Sequence, residues 1–304
     1  MRTLCQGTDR LYRTTDRVFR IVECASCRLV RLYPRPKPAE LRTYYPESYW
    51  FDPSASTADR LAETWRQIVL RDHIRFVRRA LDASAAKGLV LDVGCGGGLF
   101  LRQLELPRGQ AVGLDFSLGA ASVAWGTNGV PAVCASLTRA PFPKGICRAV
   151  TMFHVLEHLY DPASHLDAAR DLLAADGRLI IQVPNLGCWQ FLMLGEHWNG
   201  LDIPRHLINF RERDIRVLLE ETGFELLRVK HFSLRDNPAG LASSLAPALD
   251  PMSRRVRQIQ ESPGVKMLKD FTYLALVLLA MPLAVLEAAC RAGSTLMVEA
   301  RPKP

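Results

Sequence analysis

The sequence predicts an α/β protein built on a parallel sheet, and three observations carry that prediction. From Leu89 onward, short apolar runs alternate with helical patterns. One run ends in an acid, an alternating glycine loop and a helix start: Leu89-Val-Leu-Asp-Val-Gly-Cys-Gly-Gly-Gly-Leu-Phe-Leu101. With 304 residues, 48% of them hydrophobic, the chain can bury a full core of this kind and carry extra segments.

Residues 1–35 read as short strands around Cys5, Cys24 and Cys27, closed by Pro34-Arg-Pro-Lys-Pro38. Cys24-Ala-Ser-Cys27 has the spacing of half a zinc ribbon, but Arg2 stands where Cys5 needs its partner. These three thiols are the candidate zinc ligands, and a metal-free remnant is the alternative. Residues 58–82 form one amphipathic helix. Leu61, Trp65, Ile68, Val69, Phe76, Val77 and Leu81 keep helical spacing, with Arg66, Arg71, Arg75, Arg78 and Arg79 interleaved. Most of the +8 formal charge lies within residues 1–80. Such a face favours anionic lipid, nucleotide-sugar, phosphate or nucleic acid, unless it is only the solvated face of an arginine-rich chain. The eight cysteines are scattered, with Cys134, Cys147, Cys188 and Cys290 in apolar runs. That usage, with no secretory pattern at the N-terminus, points to a reducing, cytoplasmic setting.

The strand Leu89–Leu91 ends in Asp92, and Gly94, Gly96 and Gly98 alternate before a helix-like Leu99–Leu104. This unit lets backbone pass close beneath a nucleotide-like ligand at the carboxyl end of a sheet. The dinucleotide fingerprint G-x-G-x-x-G fails, because Leu99 or Leu101 falls where its third small residue belongs. Gln110–Asp115 is a second strand, and its terminal acid can accept both ribose hydroxyls. Phe116-Ser117-Leu118 and the small residues Ala120, Ala121 and Ala124 begin the next helix. Val130–Cys134 and Arg148–Phe153 are further strands. After them come a helix over Ala163–Ala174, a strand over Gly177–Val183, a helix over Arg211–Thr222 and a strand over Phe224–Phe232. Ser294–Ala300 is the last strand, and no internal repeat is evident.

Asp92-x-Gly94-x-Gly96-x-Gly98, followed by Asp115, resembles the first motif of the class I S-adenosylmethionine-dependent methyltransferases. Phe153-His-Val-Leu-Glu-His-Leu-Tyr-Asp-Pro162 is similar to their segment after the fourth strand, in enzymes of small-molecule, quinone, lipid and sugar pathways. Trp198–Phe210 resembles their substrate-side segment after the fifth strand. The resemblance covers residues 85–235 and, in part, a zinc-ribbon-like segment ahead of them. It implies a Rossmann-like seven-stranded, mostly parallel sheet with helices on both faces and a terminal antiparallel strand hairpin. It implies S-adenosylmethionine as cofactor and a small-molecule, lipid, quinone or glycan acceptor methylated at oxygen, with no nucleic-acid partner.

By the same resemblance, Asp92, Gly94, Cys95, Gly96 and Gly98 cradle the amino-acid half of the cofactor. Asp115 and Phe116, then Ser136 and Leu137, follow along the adenosine, and His154 lines the pocket at the methionine end. Glu157, Trp198 and Arg205 fall on the acceptor side, Arg205 as a clamp for a carboxylate or phosphate. His158 and His206 are the candidate bases, each with a purely structural role as the alternative. Two departures stand out. Ala135-Ser136-Leu137 occupies a place where the family often carries an acid, and Cys147-Arg148 replaces the usual Phe-Asp. They keep a rival open, a cofactor-binding regulator or scaffold without transferase activity. His154-x-x-Glu157-His158 also matches a zinc-protease pattern, which requires both histidines on one long helix.

The expected divisions are 1–57, 58–235, 236–293 and 294–304. Within the third, Phe271–Leu286 carries no charge for 16 residues. A transmembrane helix needs about 20 residues, and a single crossing would strand the final β-strand on the wrong side of the bilayer. The remaining readings are a buried or dimer-forming helix, or an interfacial one flanked by Lys266, Lys269 and Arg291, giving peripheral contact with the inner face of the membrane.

Overall fold

A computed structural model of the protein describes residues 1–46 and 57–303. Tyr49 and the rest of the linker before the long helix lie outside the described residues, as do the side chains of Leu61, Trp65 and Arg66. In chain order the strands are β1 (Arg2–Gly7), β2 (Phe19–Glu23), β3 (Val30–Tyr33), β4 (Leu89–Val93), β5 (Ala111–Asp115) and β6 (Ala132–Cys134). Then come β7 (Cys147–Phe153), β8 (Leu173–Pro184), β9 (Ile208–Asn209), β10 (Phe224–Lys230) and β11 (Thr295–Pro302). The helices are α1 (Pro38–Leu41), α2 (Thr57–Asp82), α3 (Leu99–Leu104), α4 (Leu118–Gly126) and α5 (Pro162–Leu172). They continue with α6 (Trp189–Leu194), α7 (Glu212–Glu221), α8 (Asn237–Leu245), α9 (Pro251–Val256) and α10 (Pro263–Ala289).

The chain folds into two compact units, each drawn from separate stretches. One comprises Trp50–Val183, Ile215–Lys230 and Met297–Pro304; the other comprises Met1–Tyr49, Pro184–Asp214 and His231–Leu296.

The first of these holds the seven-stranded sheet, in the order β10-β11-β8-β7-β4-β5-β6. Strands β4, β5, β6, β7 and β8 pair in parallel, whereas β10 and β11 are antiparallel. Central strands covered on both faces need continuous apolar runs, and Val90–Val93 of β4 are all buried. Leu70, Ile74, Val77 and Leu81 of α2 meet Phe100, Leu101 and Leu104 of α3 over Val90, Ala149, Ile180 and Met297. Ile68, counted in the apolar stripe from its spacing, instead faces solvent. Ser117 caps α4 by accepting from the Ala120 N–H, and Asp161 caps α5 by accepting from Ser164, with Pro162 in its first turn. The expected mostly parallel sheet with a terminal antiparallel pair is therefore present.

The second unit carries a four-stranded sheet, β1-β2-β3-β9, whose core residues Phe19, Ile21, Val30 and Leu32 are almost fully buried. Its long helix α10 packs against α8. A buried α10 is ruled out: only 22% of its most apolar 18-residue window is buried.

Candidate active site

The glycine loop after β4 rises out of buried strand into a backbone that side chains resist. Gly94 and Gly96 have φ of +70° and +52°. A Cβ on Gly94 would come within 2.5 Å of Val155 Cγ2, whereas one on Gly96 would meet nothing within 4 Å. The second glycine thus leaves open space directly over the loop. Beneath it, a Cβ on Gly113 would sit 2.5 Å from Cys95 Sγ, so β5 keeps a glycine where the loop passes closest.

Asp115, at the end of β5, ties the loop to the next helix. Its Oδ2 accepts from Gly96 N–H (3.0 Å) and its Oδ1 from Ser117 N–H (2.8 Å). Burial raises the Asp115 pKa, and the backbone N–H groups of Ser117 and Gly96 act against that rise. Next to it Phe116 exposes 67% of its surface. Ser136 is exposed and Leu137 buried on the turn after β6. Asp92 lies deeper, 3% exposed, and accepts a 2.6 Å hydrogen bond from Thr151 Oγ1 of β7. Burial, with the nearby Asp115 charge, pushes its pKa up to about 7 despite that hydrogen bond. Burial likewise raises the Cys95 thiol, which makes it an inert wall residue.

After β7 the chain turns sharply. His154 has φ +56°, a left-handed conformation costly for a side-chain-bearing residue, fixed here by its N–H donating to Gln182 O. Its ring is held from both sides. Gln182 Nε2 lies 2.8 Å from Nε2 and donates to it, so Nδ1 carries the proton given to Glu157 Oε1 at 3.1 Å. Glu157 is 1% exposed. His158 is half-buried on the 3-10 turn Leu156–His158. His154 and His158 thus sit on a strand end and a tight turn, which removes the zinc-helix alternative. Gln182 and Thr151, two of the groups organising this edge, carry no motif that would have marked them in the sequence.

The residues placed on the acceptor side by the segment after β8 belong to the other unit, and two of them need correction. Arg205 is fully buried and its guanidinium is engaged throughout. Nη1 and Nη2 donate to Asp9 (2.9 and 2.8 Å), Nε and Nη2 to Asp202 (3.0 and 2.7 Å), and Nη1 also to Tyr44 O. The ring of Tyr12 covers it at 4.4 Å. Burial works to lower the Arg205 pKa, yet Asp202 and Asp9 hold it well above the usual value. A guanidinium so saturated has no donors left to clamp an acceptor. Trp198 is 3% exposed, packed edge-on against Phe191, which leaves no open indole face for substrate. His206 is 7% exposed; its Nδ1 donates to Gly200 O at 2.9 Å, and its Nε2 lies 3.8 Å from Asp202 Oδ2.

Cys5, Cys24 and Cys27 do not form a three-thiolate cluster, since their sulfurs do not all lie within 4.8 Å of one another. Burial, then the Glu196 charge, pushes the Cys5 thiol up to about 11. Backbone hydrogen bonds at Cys27 and Ser26 bring Cys24 down to about 7. Cys24 and Cys27 lie in hydrogen-bond contact with each other, but the three thiols do not converge on one shared zinc position.

The family model described as "Methyltransferase domain" matches residues 62–229. An uncharacterized protein of Methanocaldococcus jannaschii is 32% identical over 131 residues, 42% of this chain and 50% of that one. The ubiquinone biosynthesis O-methyltransferase of Chromobacterium violaceum is 34% identical over 118 residues, 36% of this chain and 50% of that one. The chain thus spans about half the length of the curated relatives it matches. A solved S-adenosylmethionine-dependent methyltransferase from Archaeoglobus fulgidus is 15% identical, with a TM-score of 0.50, over 81% of this chain and 99% of that one. That likeness is one of fold.

Proposed function

The chain belongs to the class I S-adenosylmethionine-dependent methyltransferases, and from that premise we propose that it methylates a hydroxyl of a small-molecule, quinone-like, lipid or glycan acceptor. The carrying observation is the Asp115 carboxylate, oriented by the Gly96 and Ser117 N–H groups beneath a glycine loop with open space above it. These residues fit S-adenosylmethionine. Asp115 would accept from the ribose hydroxyls, Phe116 would offer its exposed ring to the adenine, and the Gly94–Gly98 backbone would lie under the amino-acid half. When bound, the cofactor supplies a methyl group on a positively charged sulfur, so no covalent enzyme intermediate is required.

The protein then has two tasks: hold the acceptor oxygen in line with the methyl, and take its proton. His158 is our proposed base, because it follows the strand end that bears His154 and its ring is not sunk in the core. His206, with Nδ1 committed to Gly200 O, is the second candidate through Nε2 alone. His154 acts by position: its doubly held ring and left-handed backbone fix the turn that presents His158. Oxygen as the acceptor atom is supported by the O-methyltransferase relatives.

Calorimetric titration with S-adenosylhomocysteine tests the cofactor assignment. Hydrogen bonds to a charged group contribute about 1.5–3 kcal/mol, so Asp115→Asn is expected to weaken binding about ten- to hundredfold. Unchanged affinity would place the ribose elsewhere, and binding of a nicotinamide nucleotide instead would overturn the reading.

A further inference from the structure

We propose that α10 is a membrane-docking element: it lies along an anionic lipid surface with its open apolar stripe against the acyl chains. The proposal goes beyond methyl transfer and does not rest on it. Leu268, Phe271, Leu278, Leu279, Val285 and Leu286 are all more than half exposed, up to 76% for Leu279. Their three- and four-residue spacing gathers them on one face, joined by the exposed Ala275 and Pro282. At 1.5 Å per residue the stripe runs about 27 Å, far more than a stray surface leucine requires. The opposite face is occupied: Val277, Ala280, Ala284 and Glu287 are buried, and the Tyr273 hydroxyl lies 2.8 Å from Ser243 Oγ of α8. Near its C-terminal end α10 is tied to α6, since Glu287 accepts from the Gln190 N–H and side chain at 3.0 and 2.9 Å. Helix α6 itself exposes Leu192 (75%) and Met193 (57%), adding to the apolar surface.

Charge selects the occupant. No charged residue interrupts Phe271–Leu286. The acids of α10 are used elsewhere, Asp270 by Arg254 and Glu287 by Gln190. Cations stand at the two ends: Lys266 is exposed, and Arg291 exposes 69% of its side chain, with Glu212 at 3.5 Å. Stripe-to-stripe pairing of two copies would bring these cations together, Lys266 near Arg291 in an antiparallel pair or each near its own kind in a parallel one. Anionic headgroups neutralise them instead. Spanning is excluded by topology. Strands β10 and β11 pair with Arg228 opposite Glu299, so the chain leaves and returns to one sheet, and a single crossing would separate its strands.

The experiment is co-sedimentation of the full chain with vesicles of phosphatidylcholine alone and of phosphatidylcholine with phosphatidylglycerol. Sedimentation velocity without lipid accompanies it. The protein is expected to pellet with the phosphatidylglycerol vesicles and to bind the neutral ones far more weakly. At about fivefold per cation, Lys266→Gln with Arg291→Gln should weaken anionic binding roughly 25-fold. Leu279→Glu with Leu286→Glu should abolish binding to either vesicle and leave S-adenosylhomocysteine affinity unchanged. Wild-type protein that stays in the supernatant with both vesicles overturns the proposal, and so does undiminished binding by the leucine variant. A wild-type dimer that this variant converts to monomer also overturns it, by making the stripe an interface between copies.

Discussion

Replacing Arg205 by Met separates the structural role seen for this arginine from the acceptor clamp its sequence context suggests. The side chain is fully buried between Asp9, 2% exposed, and Asp202. Methionine of similar volume removes the charge and leaves two carboxylates without their cation. Asp9 retains the Tyr12 and Thr14 N–H groups at 3.0 Å, so its own geometry persists while its charge is stranded. Breaking a buried pair from one side costs about 3–5 kcal/mol. At about 2–4 °C per kcal/mol this lowers the melting temperature by roughly 6–20 °C. In urea the midpoint should fall with an unchanged slope. Arg205→Lys, which keeps a charge but loses the fork that reaches both acids, should fall between variant and wild type. An Arg205→Met protein within about 1 kcal/mol of wild type, yet with weakened acceptor binding, would refute the structural reading and restore the clamp.

Further outcomes follow from the same geometry. The Asp92 pKa, raised by burial to about 7, lies above the unfolded carboxyl value of about 3.9, so stability from this group is complete below pH 4 and lost as pH rises through 7. Asp92→Asn, which keeps an oxygen for Thr151, should therefore gain stability relative to wild type between pH 4 and 7; a pH-independent difference in urea midpoints would contradict this. His158→Gln should cut turnover by about 10²–10⁴ and change the pH–rate profile, with cofactor affinity intact. If neither His158→Gln nor His206→Gln changes the profile, transfer rests on positioning alone. Elemental analysis of the purified protein should find zinc well below one per chain, and one tightly held ion would require a ligand beyond Cys5, Cys24 and Cys27.

What the sequence made legible was local. Asp92, Gly94, Gly96, Gly98 and Asp115 announce themselves because a strand end, a glycine loop and a second strand end follow one another within 25 residues, and each needs its own residue type. The strands of the parallel sheet were equally readable from their apolar runs. Contacts assembled over distance were not. Gln182 reaches His154 only because β7 and β8 are neighbours, and Thr151 reaches Asp92 only because β4 and β7 are. Asp9 and Arg205 are 196 positions apart, so an arginine beside a histidine looked like a ligand group when it was the centre of a buried ion cluster. Strand β9 has two residues, too few for any alternation to show, and exists because β3 offers it an edge.

The position of β11 bears on how the protein is made. This strand, the last in the chain, is not at the rim of its sheet but between β8 and β10. A ribosome delivers its neighbours first, so until residues 295–302 emerge each presents an unsatisfied hydrogen-bonding edge, and the nascent sheet is open along its length. The other unit is delayed in the same way, since its stretches run to Leu296. Neither unit can therefore finish folding until residues 295–302 have been made. Stop codons or proteolytic nicks ahead of Thr295 should yield an aggregation-prone chain, not a shorter enzyme.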